Sequence, residues 1–290
     1  MELFSFHQKI IFGDDIMSKS ITVQQLREKQ QELCDSFILD TDKMDEIMRK
    51  HTQKMMQGEF HNYSINNILL ADFQLYMRTK ETTELLSPFK RWNKVNRYVK
   101  KGEKALYILA PIFYEEEKDD GTVEQKMWFK RVPVFDLSQT DGEKFEMDYV
   151  KYDGNITFQE ILERTDIEVI MSNKELTRGY TDGEKIWISK HISDAQKICV
   201  LFHEMGHYKL HFGTDREQLT KSVKELDAEA ISFMISSVLG IKNEESGAYI
   251  RGWAGSNAPD EIKGRGSKLI RTAQEIIDEM KLCDLLESKS

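Results

Sequence analysis

Cysteine is scarce in this chain of 290 residues, and the few present exclude two kinds of site. Cys34, Cys199 and Cys283 are odd in number, far apart and in no Cys-x-x-Cys pair, so neither a disulfide framework nor a cysteine-held zinc is signalled. The thiols are expected to be reduced and structural. Long apolar runs are also missing. None approaches the roughly 18 residues that cross a bilayer. The opening MELFSFHQKIIFGDD reaches charge before any signal-peptide core develops. A cytoplasmic location is the expectation, with Met17 a second candidate start. Repeats and low-complexity tracts are absent. An overall basic excess is lacking too: the net charge is −9, which weighs against nonspecific nucleic-acid binding by the whole molecule.

What is present describes a globular protein. Hydrophobic residues make up 40% and charged residues 31%, enough apolar surface for a packed core. The length exceeds what one core usually serves, so two domains are expected. The turn-forming stretch KYDGN, near Val150 to Asn155, marks the boundary. The expected division is an N-terminal extension over 1–36, a first domain over 37–150 and a second over 151–290. The fold class is α+β.

Residues 20–57 carry apolar positions at three- and four-residue spacing, among them Leu26, Leu33, Phe37, Met44 and Met48, and read as one or two helices. Ser64 is an expected N-cap for a helix with a stripe of Ile65, Ile68, Leu69, Phe73 and Tyr76. ALYILAPIFY and MWFKRVPVFDL read as an antiparallel pair joined by the acidic EEEKDDGT, with Pro111 and Pro133 pointing to edges or bulges. Beyond the boundary come a helix (ITFQEILERT), a strand (IEVIMS), and a hairpin turning at Thr181, Asp182 and Gly183 into KIWIS. A small antiparallel sheet follows from that reading. Ser193 with Gln196 three residues on signals a capping box opening a long helix.

That helix contains His203-Glu204-Met205-Gly206-His207. Histidines four apart lie one turn above each other on one face, so both imidazoles reach one ion, and Glu204 stands beside them to hold a water. Catalytic zinc takes three protein ligands and leaves a fourth place for water. A third ligand is therefore required. KELDAEAISFMISSVLG reads as a second helix with Glu225 and Glu229 one turn apart; one binds metal and the other supports it, and spacing alone does not choose. Without a missing ligand nearby, Glu225, Asp227 and Glu229 would read as a solvated face. His211 extends the histidine row by four residues, where the helix is expected to end at Phe212-Gly213, and reads as an orienting or capping residue or else as a further zinc ligand.

One stretch reverses the overall charge. Between Gln74 and Lys104 nine cations face three glutamates, a local charge of about +6. Phe89, Trp92 and Tyr98 interleave with Lys90, Arg91, Lys94, Arg97, Lys100, Lys101 and Lys104, supplying base-stacking faces and phosphate contacts. The other reading makes Trp92 and Tyr98 core residues with the lysines on a solvated side.

The segment CVLFHEMGHYKLHF followed by KELDAEAISFMI resembles the ImmA/IrrE metallopeptidases. This resemblance implies zinc held by His203, His207 and Glu225, with Glu204 the catalytic base and Glu229 supporting a ligand histidine. HNYSINNILL, RWNKVNRYVKKGEKALYILAP and VPVFDLSQT resemble the single-stranded-DNA-binding domain of ArdC antirestriction proteins. AYIRGW is similar to a segment of their metallopeptidase half, and its Tyr249 reads either as an oxyanion stabiliser or as a buried structural tyrosine. Together the resemblances cover residues 40–280. They imply a single-stranded-DNA-binding module fused to a zinc metallopeptidase, a pairing of mobile elements that protect incoming DNA, with a host defence protein as partner or substrate. The alternative is an ImmA-like regulator that cleaves a repressor and uses its N-terminal half for a protein partner.

Overall fold

The computed structural model describes residues 21–55, 63–117, 122–145, 156–174, 177–212, 219–254 and 263–289. The chain divides into two compact units, Met1–Leu33 with Asn66–Glu146, and Cys34–Ile65 with Met147–Ser290. The KYDGN segment lies outside the described residues. Among the described residues, no helix is long and apolar enough to cross a membrane. The architecture is α+β.

Two helices occupy the early part of the chain, α1 (Val23–Ile38) and α2 (Thr41–Met55), and α3 follows at Ile65–Thr79. In the first unit come β1 (Leu86–Ser87), α4 (Phe89–Lys94), β2 (Arg97–Val99), β3 (Leu106–Glu117), β4 (Val123–Asp136) and β5 (Thr140–Gly142). β3 and β4 pair antiparallel from Leu106↔Val134 out to Glu117↔Val123, so the first three glutamates of the acidic stretch belong to the strand rather than to a loop. β1 pairs β4 only at Phe135 and Asp136, which leaves Pro133 on an open edge among the described residues, where a missing N–H costs nothing. The outer side of β3 is closed at its root by two amide side chains of α3. Asn67 donates to the Leu109 carbonyl (2.8 Å) and accepts from its N–H (3.0 Å); Gln74 does the same at Tyr107 (2.8 and 2.9 Å). Asn67 and Gln74 are two helical turns apart, so they share a face and match alternate strand residues. β2 pairs β5, and Gly142 at φ +132° lies so close to the Asn96 carbonyl that a Cβ would stand 2.2 Å from it.

The second unit holds α5 (Phe158–Leu162), β6 (Glu168–Ser172), β7 (Gly179–Thr181), β8 (Lys185–Ser189), α6 (Asp194–Leu210), α7 (Lys221–Val238), α8 (Glu244–Ala254), α9 (Gly266–Glu279) and α10 (Leu282–Glu287). The sheet order is β6-β8-β7, with β7 antiparallel and β6 parallel to β8. The expected all-antiparallel sheet is thus corrected to a mixed one. A tight turn with Gly183 at φ +93° fixes β7 against β8, and β6 takes the opposite side in the same direction as β8. α6 opens on the Ser193–Gln196 capping box, and Thr220 caps α7 by accepting from the Val223 N–H. The two helices approach closely where Gly206 meets Ala228: a Cβ on Gly206 would stand 3.0 Å from the Ala228 Cα. Burial pushes the Cys34 thiol up to about 12 and the Cys283 thiol to about 11, and raises Cys199 as well, so these groups are unreactive neutral thiols.

Candidate metal centre

The close helix approach at Gly206 carries Glu225 on α7 to the histidines of α6. His203 Nε2 and His207 Nε2 are 3.1 Å apart, and Glu225 Oε2 stands 3.6 Å from the first and 3.7 Å from the second. Ligand atoms about 2.0–2.1 Å from a tetrahedral ion are separated by roughly 3.3–3.4 Å. The triangle brackets that spacing, and its donors, two imidazoles and a carboxylate, are those of a divalent-metal site. The charges agree. Burial alone would lower the His203 pKa, but Glu225 and then Glu229 more than offset it and bring it to about 10. The imidazoles of His203 and then His207 beside it hold the Glu225 carboxyl well below its usual range. Two carboxylates facing one imidazole make this a favourable place for positive charge.

Further residues support the triangle. Glu229 Oε1 lies 3.3 Å from His203 Nδ1, and Ser246 donates to the other Glu229 oxygen. His207 Nδ1 lies 2.9 Å from His211 Nδ1, and His211 Nε2 is 3.0 Å from Asp227 Oδ2. Asp227, fully buried, is also held by Arg265, through Nε at 3.0 Å and a close contact from Nη2. His211 is the C-cap of α6, so the helix stops at Leu210, slightly before the expected Phe212-Gly213. Nothing local announces that Asp227 is buried, because its partner Arg265 is 38 residues further on.

Glu204 is buried, and its surroundings push its pKa up through desolvation, opposed by His203 and His207. Its carboxylate borders two cavities that share Gly179, His203, Glu204 and Glu225. One, of about 350 Å³, continues to Thr181, His207 and Lys224; the other, of about 280 Å³, continues to Cys199, Ser232, Asn243 and Ser246. Gly179 matters here: a Cβ would meet Val200 Cγ1 at 2.4 Å and Glu204 Oε1 at 3.1 Å. Tyr249 is exposed on α8 and lines neither cavity, since the buried face of that helix runs through Ser246, Gly247 and Ile250.

The basic segment behaves differently. Trp92 is fully buried, its Nε1 donates to the Phe135 carbonyl (3.1 Å) and its ring packs edge-on to Phe145, so the expectation that it stacks bases is corrected. Arg97 grips Thr140 through Nε (2.9 Å to Oγ1) and Nη2 (3.1 Å to the carbonyl) and also binds the Glu143 carbonyl, clamping β2 to β5. Lys100 donates to the Ser138 carbonyl at 2.9 Å. Tyr98, 56% exposed, keeps an open ring, and Lys94, Lys101 and Lys104 face solvent; Arg91 is half-buried.

Comparison with known proteins shows what these parts are similar to. Residues 30–146 match the N-terminal domain of anti-restriction factor ArdC, and residues 162–242 match the IrrE N-terminal-like domain of the peptidase M78 family. No curated protein gave a significant match. The fold is that of the metal-free crystal structure of the antirestriction ArdC protein from plasmid R388, at 20% identity and a TM-score of 0.51, covering 84% of this chain and 95% of that one. The Mn(II)-bound structure of the same protein aligns at 19% identity with a TM-score of 0.46, covering 81% and 97%. The first part of the chain is thus similar to the ArdC N-terminal domain and the second part to the IrrE N-terminal-like domain.

Proposed function

We propose that the second unit is a zinc metallopeptidase centre and that the first binds single-stranded DNA, the combined task being protection of incoming DNA from host defence. The observation that carries the first half is the triangle of His203, His207 and Glu225 donor atoms with Glu204 beside it. Bound zinc would supply Lewis acidity toward a scissile carbonyl and toward water. The chain's own groups do the rest. Glu204, raised in pKa by burial yet kept ionisable by two imidazoles, accepts a proton from the attacking water and passes it on to the leaving amine. Glu229 holds the His203 ring by its Nδ1. KIWIS is β8, already paired on both sides, so an extended substrate would lie along β7 instead. β7 is the sheet edge and supplies Gly179 and Thr181 to the cavity wall, the position from which a backbone edge aligns an extended polypeptide beside Glu204.

Elemental analysis of purified protein tests the centre, with about one zinc per chain expected. Glu225→Gln should lose the metal. Glu204→Gln should keep it while cleavage of an unfolded protein such as casein falls about 10²–10⁴-fold. Full zinc in Glu225→Gln, or loss of zinc in Glu204→Gln, overturns the assignment. For the first unit, fluorescence anisotropy with a labelled oligonucleotide in a salt series should give affinity that drops steeply with salt. The burial of Trp92 favours a second reading, in which the first unit serves a protein partner and the centre cleaves a repressor. Absence of oligonucleotide binding at low salt selects it.

A further inference from the structure

The two ligand histidines are anchored in unlike ways. His203 has a carboxylate, Glu229, directly on its Nδ1, whereas His207 has another imidazole, and the carboxylate comes only after it. We infer that His211, braced by Asp227 and Arg265, is a positioning residue that fixes the tautomer of His207 and so aims its Nε2 lone pair into the centre. The inference rests on the metal centre proposed above.

Proton accounting along the chain of contacts leads there. Asp227 is buried and paired with Arg265, so it is an acceptor, and the 3.0 Å contact must be filled by a proton on His211 Nε2. A neutral His211 then has only a lone pair at Nδ1. The 2.9 Å contact with His207 Nδ1 needs one proton between two nitrogens, and His207 must supply it. With its proton at Nδ1, His207 offers a lone pair at Nε2, the atom 3.1 Å from His203 Nε2 and 3.7 Å from Glu225. The opposite arrangement would put a proton on His207 Nε2 and block the ligand position. Arg265 completes the chain by holding both Asp227 oxygens, which fixes the plane of the carboxylate that orients His211. The same pattern serves the metal-free protein, where a proton on His203 Nε2 donates to His207 Nε2 in place of the ion.

The test uses the full chain with zinc as the probe. Affinity is measured by competition against a chromophoric chelator for the parent, His211→Phe and His211→Gln. Phenylalanine removes both ring nitrogens and should weaken zinc binding about 10–100-fold. Glutamine restores an acceptor toward His207 and a donor toward Asp227, and should return affinity close to the parent value. Melting of the metal-free variants separates the role from general packing, which would lower both melting temperatures while leaving zinc affinity untouched. Parent-like zinc affinity in His211→Phe, or a glutamine variant as weak as phenylalanine, overturns the inference. Imidazole ¹⁵N NMR decides independently of how the variants fold: His207 protonated at Nδ1 and His211 at Nε2 is expected, and the reverse pair overturns the inference. A parent that takes up no zinc refutes the metal centre instead, and the tautomers of the metal-free protein still judge the positioning role.

Discussion

Along α6, His203, His207 and His211 each meet a carboxylate of α7, and the side chains with chemical potential converge on one another beside two cavities. In the first unit, side chains of similar promise are turned to backbone carbonyls: Trp92 Nε1 to Phe135, Arg97 Nη2 to Thr140, Lys100 to Ser138. The difference lies in what fixes each group. A four-residue spacing on a helix dictates which side chains meet. A basic and aromatic composition dictates nothing about direction, so the fold takes some of those residues for its own closure and leaves Tyr98 and Lys94 outside.

Substitutions can break or sharpen that contrast. The largest effect is expected from Trp92→Ala, which empties a fully buried site and removes the bond to Phe135; it should cost about 3–5 kcal/mol in denaturant unfolding. A variant with unchanged stability and weakened oligonucleotide binding would return Trp92 to the surface. In the second unit, Gly206→Ala should cost about 1–3 kcal/mol and also weaken metal binding, because the added methyl pushes α6 from α7 and opens the ligand triangle. Chelator competition on the variant reads it, and unaltered zinc affinity would uncouple helix approach from the centre. Tyr98→Ala should reduce single-strand affinity by about 1–3 kcal/mol without changing the melting temperature, the reverse of the Trp92 result. Smallest is a pH effect at Glu160, whose carboxyl is lowered to about 2 by Lys289 and then by Thr157. Its folded pKa is depressed, so its contribution is present above the unfolded value of about 4.3 and disappears as pH falls from there toward 2. Parent and Glu160→Gln should therefore differ slightly in melting temperature at pH 6 and converge near pH 2; a difference that persists at pH 2 contradicts the ion pair.

Much of this is legible in the sequence, for physical reasons. Ser193 and Gln196 announce α6 because a cap is a local hydrogen-bond arrangement, and the β3–β4 ribbon follows from alternation around one turn. The direction of β6 and the central place of KIWIS depend on which strand docks on the far side of β8, a choice written in no short window. The partner of Asp227 is similarly remote, so a carboxylate that reads as solvated becomes the most buried charge at the centre. The exposure of Tyr249 is hidden for a third reason: a short motif names a residue without stating which side of α8 it occupies.

The amide side chains of Asn67 and Gln74 have a consequence for how the protein keeps in concentrated solution. They occupy the N–H and carbonyl groups of Tyr107 and Leu109, which would otherwise be a template for strand addition by another polypeptide. Each presents one donor and one acceptor, as a peptide group does, so α3 acts as a dummy strand that cannot be extended. Aspartate or glutamate at these places keeps the shape but loses the donor and sets a negative oxygen against a carbonyl. Strand addition at the root of β3, a hazard remote from both metal and DNA, is thus blocked by two uncharged side chains that no functional assay would single out.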